Sequence, residues 1–201
     1  MSDLLPDTER LRIPGADVVY HRRFLPASGA GDMLRRLIER IPWRRDNIVL
    51  WGRSVPQPRL TAWYGDPGRS YTYSGLTLDP LPWTDDLDLL RAMAEGVADA
   101  RFNSVLLNYY RDHNDSVGLH SDDEPELGAT PTIASISLGE TRTLTFKPKT
   151  RKDWEPMRIA LESGSLLVMK GDTQRNWRHA IAKERRPCGP RVNLTFRRIL
   201  D

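Results

Sequence analysis

This chain lacks several features that mark particular classes of protein. Its 201 residues include a single cysteine, Cys188, so no disulfide can form within the chain, which suits a reducing compartment. No apolar run approaches the roughly 20 residues that a membrane-spanning helix needs. Residues 1–12 carry acidic and basic side chains where a secretory signal would be apolar. We therefore expect a cytoplasmic protein that binds no membrane, and no sequence feature indicates a protein partner.

Lysine is scarce as well, because arginine supplies 25 of the 30 basic side chains. The guanidinium group pairs with phosphate and carboxylate through a planar fork, whereas lysine offers a point charge. The net charge of +3 and the isoelectric point near 9.2 are compatible with nucleic-acid binding. A genome rich in arginine codons would explain the excess equally well, so composition alone does not identify the ligand.

The apolar pattern changes along the chain from helical spacing to alternation. Residues 31–41 and 84–98 each place apolar side chains on one helical face, and Thr84 is a suitable N-cap. From Phe102 onward, short alternating runs are separated by turns. This order predicts an α+β fold that is mainly β, an antiparallel barrel or jelly roll with the N-terminal helices packed on one outer face. Residues 1–17 are expected to form a loose arm and residues 18–201 a single domain.

A His-x-Asp pair, His120 and Asp122, lies between two predicted strands. In an extended chain residues i and i+2 point the same way, so the imidazole and the carboxylate would face one point. His179, which follows a buried run and a glycine turn, is the best distant third ligand. Two histidines and one carboxylate on one face of an octahedron are typical of non-haem Fe(II) oxygenases. The alternative is that His120 and Asp122 are solvated loop residues.

The last predicted strand carries two arginines on one face. Val192, Leu194 and Phe196 form its apolar face, and the opposite face carries Arg191, Asn193, Thr195 and Arg197. Two guanidinium groups that face a barrel interior would require an anion, and a dicarboxylate fits a bidentate fork. A solvent-facing basic strand is the alternative.

Another i, i+2 pair, Asn108 and Tyr110, precedes His120 by about ten residues. An amide and a phenol are neutral donors that suit carboxylate oxygens. The alternative is a polar pair whose hydrogen bonds are satisfied within a strand.

Together these patterns resemble the AlkB family of Fe(II)- and 2-oxoglutarate-dependent dioxygenases that dealkylate nucleic-acid bases. The matching stretches lie between about Pro58 and Ile199. They are Pro-Arg-Leu-Thr-Ala-Trp-Tyr-Gly (58–65), Tyr-Thr-Tyr-Ser-Gly (71–75), Asn-Tyr-Tyr (108–110), His-Ser-Asp-Asp-Glu (120–124), Ala-Ser-Ile-Ser-Leu-Gly (134–139) and Arg-Val-Asn-Leu-Thr-Phe-Arg (191–197). The resemblance implies a double-stranded β-helix, with residues 18–100 as a nucleotide-recognition region and 101–201 as the catalytic core.

The resemblance also implies a cofactor set and roles for individual residues. Fe(II) would be bound by His120, Asp122 and His179, and O2 would be the oxidant. The distal carboxylate of 2-oxoglutarate would be gripped by Arg191, helped by Asn193 and Tyr110. The keto-acid end, which chelates the metal, would be held by Arg197 and Asn108, and Thr195 shares this face.

The substrate implied by the resemblance is alkylated DNA or RNA. The reaction would be oxidative demethylation of bases such as 1-methyladenine and 3-methylcytosine, releasing formaldehyde, succinate and CO2, in direct-reversal repair. A base must leave its stack to reach a buried metal. Tyr73 would stack on the flipped base, Asp123 and Glu124 would receive its exocyclic amine, Trp51 would fill the gap in the duplex, and Arg53 and Arg59 would contact phosphate. Core packing of Tyr73 or Trp51, and a solvated position for the charged residues, are the alternatives.

Two other functions share parts of this pattern. A dioxygenase with the same cofactors could act on a protein or a small molecule, although Tyr73 and residues 58–65 favour nucleic acid. A non-catalytic nucleic-acid-binding barrel would be expected to lack part of the metal or cosubstrate motif, yet every motif position is filled.

Overall fold

The computed structural model describes residues 7–50, 53–68, 71–73 and 76–200, with side chains for all of these except 48–50, 53, 71–73 and 76–78. In chain order its strands are β1 (Thr8–Leu11), β2 (Asp17–His21), β3 (Asn47–Leu50), β4 (Arg53–Pro56), β5 (Leu60–Gly65), β6 (Tyr71–Tyr73), β7 (Leu76–Leu78), β8 (Ser104–Tyr110), β9 (Val117–His120), β10 (Ile133–Gly139), β11 (Arg142–Pro148), β12 (Met157–Leu161), β13 (Ser165–Lys170), β14 (Trp177–Ile181) and β15 (Arg191–Arg197). The helices are α1 (Ala27–Arg40), α2 (Asp85–Ala98) and the short α3 (Thr173–Asn176), and a 3-10 turn spans Pro125–Leu127.

Two antiparallel sheets form the body of the molecule. The larger sheet has seven strands in the order β1-β2-β13-β10-β15-β8-β5, and the smaller has four in the order β12-β11-β14-β9. The hairpins β3-β4 and β6-β7 form two further small sheets. Strands distant in sequence alternate within each sheet, as expected when a chain winds a double-stranded β-helix. The predicted fold class is confirmed.

Helix α2 begins where local chemistry favours a helix start. In α2 the Thr84 hydroxyl accepts from the backbone N–H of Leu87 at 3.4 Å, so the predicted N-cap is confirmed, and three aspartates occupy the first turn. Helix α1 begins at Ala27, four residues earlier than predicted. Its first residues, Ala-Ser-Gly, carry no apolar periodicity, so the sequence pattern missed this turn.

The apolar core has two layers, one on each side of the larger sheet. On the outer face, α1 and α2 pack against side chains that include Val192, Leu194 and Phe196 of β15. Between the two sheets a second cluster includes Tyr110, Phe146 and Trp177. The helices therefore cover one outer face of the larger sheet, as predicted, and the space between the sheets remains for a site.

The N-terminal segment differs from the prediction of a loose arm at residues 1–17. Strand β1 pairs along its whole length with β2, and the Trp177 indole donates to the carbonyl of Pro14 at 2.9 Å. Strand β1 is a polar edge strand with the sequence Thr-Glu-Arg-Leu, so it shows little alternation, and the prediction was wrong for residues 8–17.

The larger sheet contains strands from both sides of the predicted boundary at residue 100. Strands β2 and β5, from the first half of the chain, pair with β13 and β8 from the second half. The two predicted regions therefore share one structural framework. Within the described ranges, no helix is long and apolar enough to cross a membrane.

Candidate active site

The structure brings the three predicted metal ligands together between the sheets. His120 ends β9, His179 lies in the middle of β14, and the two are cross-strand partners. Asp122 follows two residues after His120. One donor atom from each residue lies within 4.8 Å of the others, and the imidazole centroids are 4.4 Å apart. Two imidazoles and a carboxylate at this spacing are a suitable donor set for Fe(II).

The two imidazoles are held in states that can bind a metal. The Nδ1 atom of His120 lies 2.9 Å from the carbonyl of Gly118, which can only accept, so Nδ1 donates and Nε2 is the ring nitrogen left for a metal. Burial lowers the pKa of His179 to about 3, so its ring is neutral at neutral pH. Among the described residues, the buried Nδ1 of His179 has no hydrogen-bond partner.

The carboxylate of Asp122 is ionised and oriented by its neighbours. Its Oδ1 accepts from Nη2 of Arg197 at 2.6 Å, while Oδ2 is buried with no partner in the described part of the chain. Burial raises the pKa of Asp122, but the positive charges led by Arg197 outweigh it and leave that pKa below its usual value. The Gln174 amide oxygen accepts from the backbone N–H of Asp122 at 3.0 Å. One carboxylate oxygen is thus anchored, and the other remains for a cation.

The odd-numbered residues of β15 face the same cavity as the metal ligands. The predicted cosubstrate residues all line it: Asn108, Tyr110, Arg191, Asn193, Thr195 and Arg197. About 40 Å³ of the cavity is open to the centres of water-sized molecules. The outward orientation that was the alternative for this strand is therefore excluded.

Arg191 provides a test of whether an anion fits this cavity. Its side chain is 1% exposed, and Nη2 donates to the Ser137 hydroxyl at 2.9 Å. Its Nε and Nη1 have no hydrogen-bond partner among the residues that the structure describes. Burial lowers the pKa of Arg191, as expected for a desolvated cation. A buried guanidinium with two unused donors is costly without a counter-ion, so the residues present fit a carboxylate of 2-oxoglutarate.

The polar residues next to Arg191 on this face mainly form hydrogen bonds within the protein. The amide nitrogen of Asn193 donates to the Ser135 hydroxyl at 2.8 Å and to the Ile136 carbonyl at 3.0 Å, and the Thr195 hydroxyl donates to its amide oxygen at 3.0 Å. Both amide hydrogens of Asn193 are thus committed, and the predicted contact with the diacid would require one to move. This network fixes β15 against β10 beside the metal ligands.

The predicted substrate residues are only partly brought to the site. Asp123 lies beside the metal ligand Asp122 and accepts from Lys149 at 2.6 Å and from the Ser121 hydroxyl at 3.0 Å. Glu124 precedes the 3-10 turn, and its Oε2 is buried with no partner within the described ranges.

The predicted phosphate contact of Arg59 is wrong. Its side chain is 3% exposed, lines the cavity and donates from Nε to the Asn108 amide oxygen at 2.6 Å. A side chain this buried cannot reach a nucleic-acid backbone. Tyr73 and Arg53 lie in β6 and β4, but their side chains are outside the described set, and Trp51 lies outside the described residues altogether.

Three residues near the site were not found from the sequence. Gln174 supports Asp122 from α3, and no pattern distinguishes it from an ordinary turn residue. Lys149 contacts Asp123 from the loop after β11 and looks like one of several loop cations. Arg142 is buried at the start of β11. It alternates with the residues between it and the apolar Leu144 and Phe146, so it lies on their buried face. An arginine on the apolar face of a strand could therefore have been predicted to be buried.

Comparisons with known proteins agree with this geometry. Residues 17–197 match the family model 2OG-FeII_Oxy_2, described as the 2OG-Fe(II) oxygenase superfamily. The chain is 43% identical over 190 residues to the mouse alpha-ketoglutarate-dependent dioxygenase alkB homolog 3, covering 90% of this chain and 66% of the mouse protein. It therefore spans slightly less than two thirds of that relative.

A second relative is covered more completely. The human DNA oxidative demethylase ALKBH2 is 37% identical over 204 residues, covering 97% of this chain and 78% of that protein. The solved structure of OsALKBH1 superimposes with a TM-score of 0.70 at 17% identity, covering 95% of this chain and 99% of the other, which supports the fold. The Fe(II) and 2-oxoglutarate predicted from the sequence are the groups that the family description names. The chain belongs to the AlkB family within the 2OG-Fe(II) oxygenase superfamily.

Proposed function

We propose that the chain uses Fe(II), O2 and 2-oxoglutarate to remove alkyl groups oxidatively from N-alkylated bases of DNA or RNA. The bases would be of the 1-methyladenine and 3-methylcytosine type, and the products formaldehyde, succinate and CO2, in direct-reversal repair. One observation carries the proposal. The cluster of His120, Asp122 and His179 lies in the same buried cavity as Arg191, whose guanidinium has two unused donors.

One set of residues would bind the metal, and another would bind the cosubstrate. When bound, Fe(II) would supply the oxidising chemistry, with O2 and 2-oxoglutarate as its reagents. His120, the open oxygen of Asp122, and His179 would hold the ion. Arg197 keeps Asp122 ionised and oriented. Arg191 would receive the distal carboxylate of 2-oxoglutarate through its free donors.

A nucleic-acid substrate is supported by the outer face of the smaller sheet. Strands β9, β11, β12 and β14 contain no Asp or Glu, and Lys147, Arg158 and Arg178 point outward to solvent. Lys147 and Arg178 are direct cross-strand partners. Like charges in this arrangement are destabilising. Among the described residues, neither has a carboxylate within ion-pairing distance, so the face suits a polyanion.

The position of this basic face agrees with such a substrate. Lys149, two residues beyond Lys147, contacts Asp123 beside the metal ligand Asp122. A nucleic-acid strand that delivers a base to the cavity could therefore continue past Lys149 onto the outer face of the smaller sheet. The name of the human relative, DNA oxidative demethylase, is further support for nucleic acid over other substrates.

The proposal is tested by demethylation of oligonucleotides that carry one 1-methyladenine, in matched DNA and RNA and in single- and double-stranded form, scored by mass spectrometry. We expect loss of the methyl group with stoichiometric succinate, and no loss for His179→Ala, because two ligands hold the ion poorly. His113→Ala, which removes a histidine outside the cavity, is the matched control. Absence of demethylation in wild type, together with hydroxylation of a protein or metabolite, would support the rival dioxygenase.

The non-catalytic rival is tested by binding without turnover. Under anaerobic conditions we expect the wild-type chain to bind Mn(II), and then to bind 2-oxoglutarate only in the presence of the metal. A chain that binds alkylated oligonucleotides but neither Mn(II) nor 2-oxoglutarate would be the nucleic-acid-binding barrel instead.

The contribution of the basic face is tested by the salt dependence of oligonucleotide binding. We expect the double variant Lys147→Ser/Arg178→Ser to reduce the slope of log affinity against log salt by about 0.7–0.9 for each cation removed. The control is Arg35→Ser/Arg40→Ser on α1, which lies against the larger sheet on the other side of the molecule. Equal slopes for both variants would exclude this face from the binding surface.

A further inference from the structure

Arg142 is a buried cation outside the predicted set of metal and cosubstrate residues. Its side chain is completely buried at the start of β11. It donates to three backbone carbonyls: Asp112 at 3.3 Å, Asp115 at 2.9 Å and Ala182 at 2.5 Å. The first two lie in the loop after β8, which belongs to the larger sheet, and the third follows β14 of the smaller sheet. One guanidinium therefore ties together the ends of two strands from different sheets.

The same guanidinium faces a residue of the cavity wall. Its central carbon lies 5.6 Å from the ring centroid of Tyr110, the last residue of β8. The guanidinium carbon of Arg191 lies 5.1 Å from the same centroid. Arg142 thus lies within cation–π range of the Tyr110 ring and also donates to the loop that follows Tyr110, so it is placed to position both the ring and the backbone that carries it.

Among the residues that the structure describes, no carboxylate pairs with Arg191, and Arg142 has a single, partly exposed carboxylate partner. The three carbonyls that Arg142 contacts carry no net charge. Glu184 lies 3.5 Å from Nε of Arg142, but its side chain is 41% exposed and is screened by solvent. Two buried cations therefore lie close to one phenol ring. Buried like charges are unfavourable unless an anion joins them, and the unused donors of Arg191 mark where that anion would lie.

We propose that Arg142 is a positioning residue that makes the cavity selective for an oxo acid with a second, distal carboxylate. It holds the Tyr110 phenol beside Arg191 and adds positive potential at that end of the cavity. The metal-chelating end of the oxo acid, on the side of Asp122 and Arg197, is not affected. The inference rests on the proposed function, because it takes 2-oxoglutarate as the ligand of Arg191.

The test compares the binding of two ligands to the chain of residues 1–201. Anaerobic calorimetry in the presence of Mn(II) measures the affinity for 2-oxoglutarate and for 2-oxopentanoate, which keeps the chelating end but lacks the distal carboxylate. Arg142→Lys retains a charge but cannot reach three carbonyls at once. We expect it to bind 2-oxoglutarate about tenfold more weakly, the size of one well-placed hydrogen bond, and 2-oxopentanoate as wild type does. Equal weakening of both ligands would show a general structural role and overturn the inference.

A coupling measurement shows whether Arg142 acts through the phenol. Tyr110→Phe removes the hydroxyl and keeps the ring. We expect Arg142→Lys/Tyr110→Phe to bind 2-oxoglutarate more tightly than the two single losses would predict if added, because both remove the same interaction. Strict additivity would mean that Arg142 does not position Tyr110.

A further variant avoids substitution of the buried residue itself. Glu184→Gln removes the carboxylate that partly neutralises Arg142 and leaves the buried contacts intact. We expect a higher ratio of 2-oxoglutarate to 2-oxopentanoate affinity at low salt, and an unchanged ratio would contradict the role of Arg142 charge. If wild type itself binds no 2-oxoglutarate with Mn(II), the proposed function fails. If wild type binds it and the ratios do not change in the variants, only this inference fails.

Discussion

The two faces of β15 are equally buried and chemically opposite. Val192, Leu194 and Phe196 pack against the helices with no exposed surface. The other face carries two arginines, an asparagine and a threonine into the cavity, and all seven residues of the strand are buried. Burial alone would favour apolar side chains on both faces. A buried polar face with unused donors is therefore expected to bind a ligand, while the apolar face supplies stability that offsets the cost of burying it.

Arg191→Met is the strongest test of this contrast. Replacing a buried, incompletely paired cation by an apolar side chain is often neutral or stabilising. We therefore expect an unchanged or higher melting temperature, together with a loss of about 2–5 kcal/mol in 2-oxoglutarate binding, or at least roughly 30-fold in affinity. Calorimetry and thermal unfolding on the same sample measure both. A less stable protein that still binds 2-oxoglutarate normally would mean that Arg191 contributes to stability and not to ligand binding.

Leu194→Ala probes the opposite face of the same strand. Truncating a fully buried leucine should lower the free energy of unfolding by about 2–5 kcal/mol, because it removes apolar burial and leaves a cavity. The affinity of the folded protein for 2-oxoglutarate should not change. Urea unfolding measures the first effect, and Leu89→Ala, at a side chain that is 54% exposed, is the control with little expected change. A large loss of affinity in Leu194→Ala would mean that the two faces are not independent.

Gln174→Leu extends the contrast to the metal end of the cavity. The variant removes the acceptor for the backbone N–H of Asp122 while keeping an apolar side chain of similar size. We expect Mn(II) affinity to fall by about 10-fold or more, as for other residues that orient metal ligands. Gln174→Glu keeps an oxygen acceptor and should retain most of the affinity. Wild-type Mn(II) binding in Gln174→Leu would show that Asp122 needs no such support.

Thr195→Val is the smallest change in the series. A methyl group replaces the hydroxyl that donates to the Asn193 amide oxygen, so one buried acceptor loses its partner. We expect a decrease of about 1 kcal/mol in the free energy of unfolding and a decrease of only a few-fold in 2-oxoglutarate affinity. Chemical unfolding and calorimetry measure these two changes. An affinity loss as large as that of Arg191→Met would place Thr195 in direct contact with the diacid.

Local periodicity explains why so much of this site could be predicted from the sequence. The parity of β15 determines which side chains share a face, and His120 and Asp122 are fixed relative to one another by two residues of extended chain. The sequence predicts His179 as a ligand because it follows a buried run and a glycine turn, but its pairing with His120 was not predicted, because strand pairing between residues so distant in sequence leaves no local pattern.

Other features could not be predicted because they depend on tertiary contacts. The burial of Arg59 follows from the position of β5 next to β8, which no local pattern reveals, and the contact of Gln174 with Asp122 joins residues 52 positions apart. Strand β1 and the first turn of α1 contain too few large apolar residues to show a periodic pattern. Their order comes from pairing and packing with distant segments.

The pairing of His120 with His179 has a consequence for the motion of the apoprotein. Strand β9 is a four-residue edge strand whose register with β14 shifts between His179 and Ile181. Short edge strands of this kind open easily. An ion held by both imidazoles would clamp the strand to its neighbour, so amide hydrogens near residues 117–122 should exchange fast in chelator-treated protein and slowly once Mn(II) is added. The metal would then stabilise the pairing of β9 with β14 in addition to its part in the reaction.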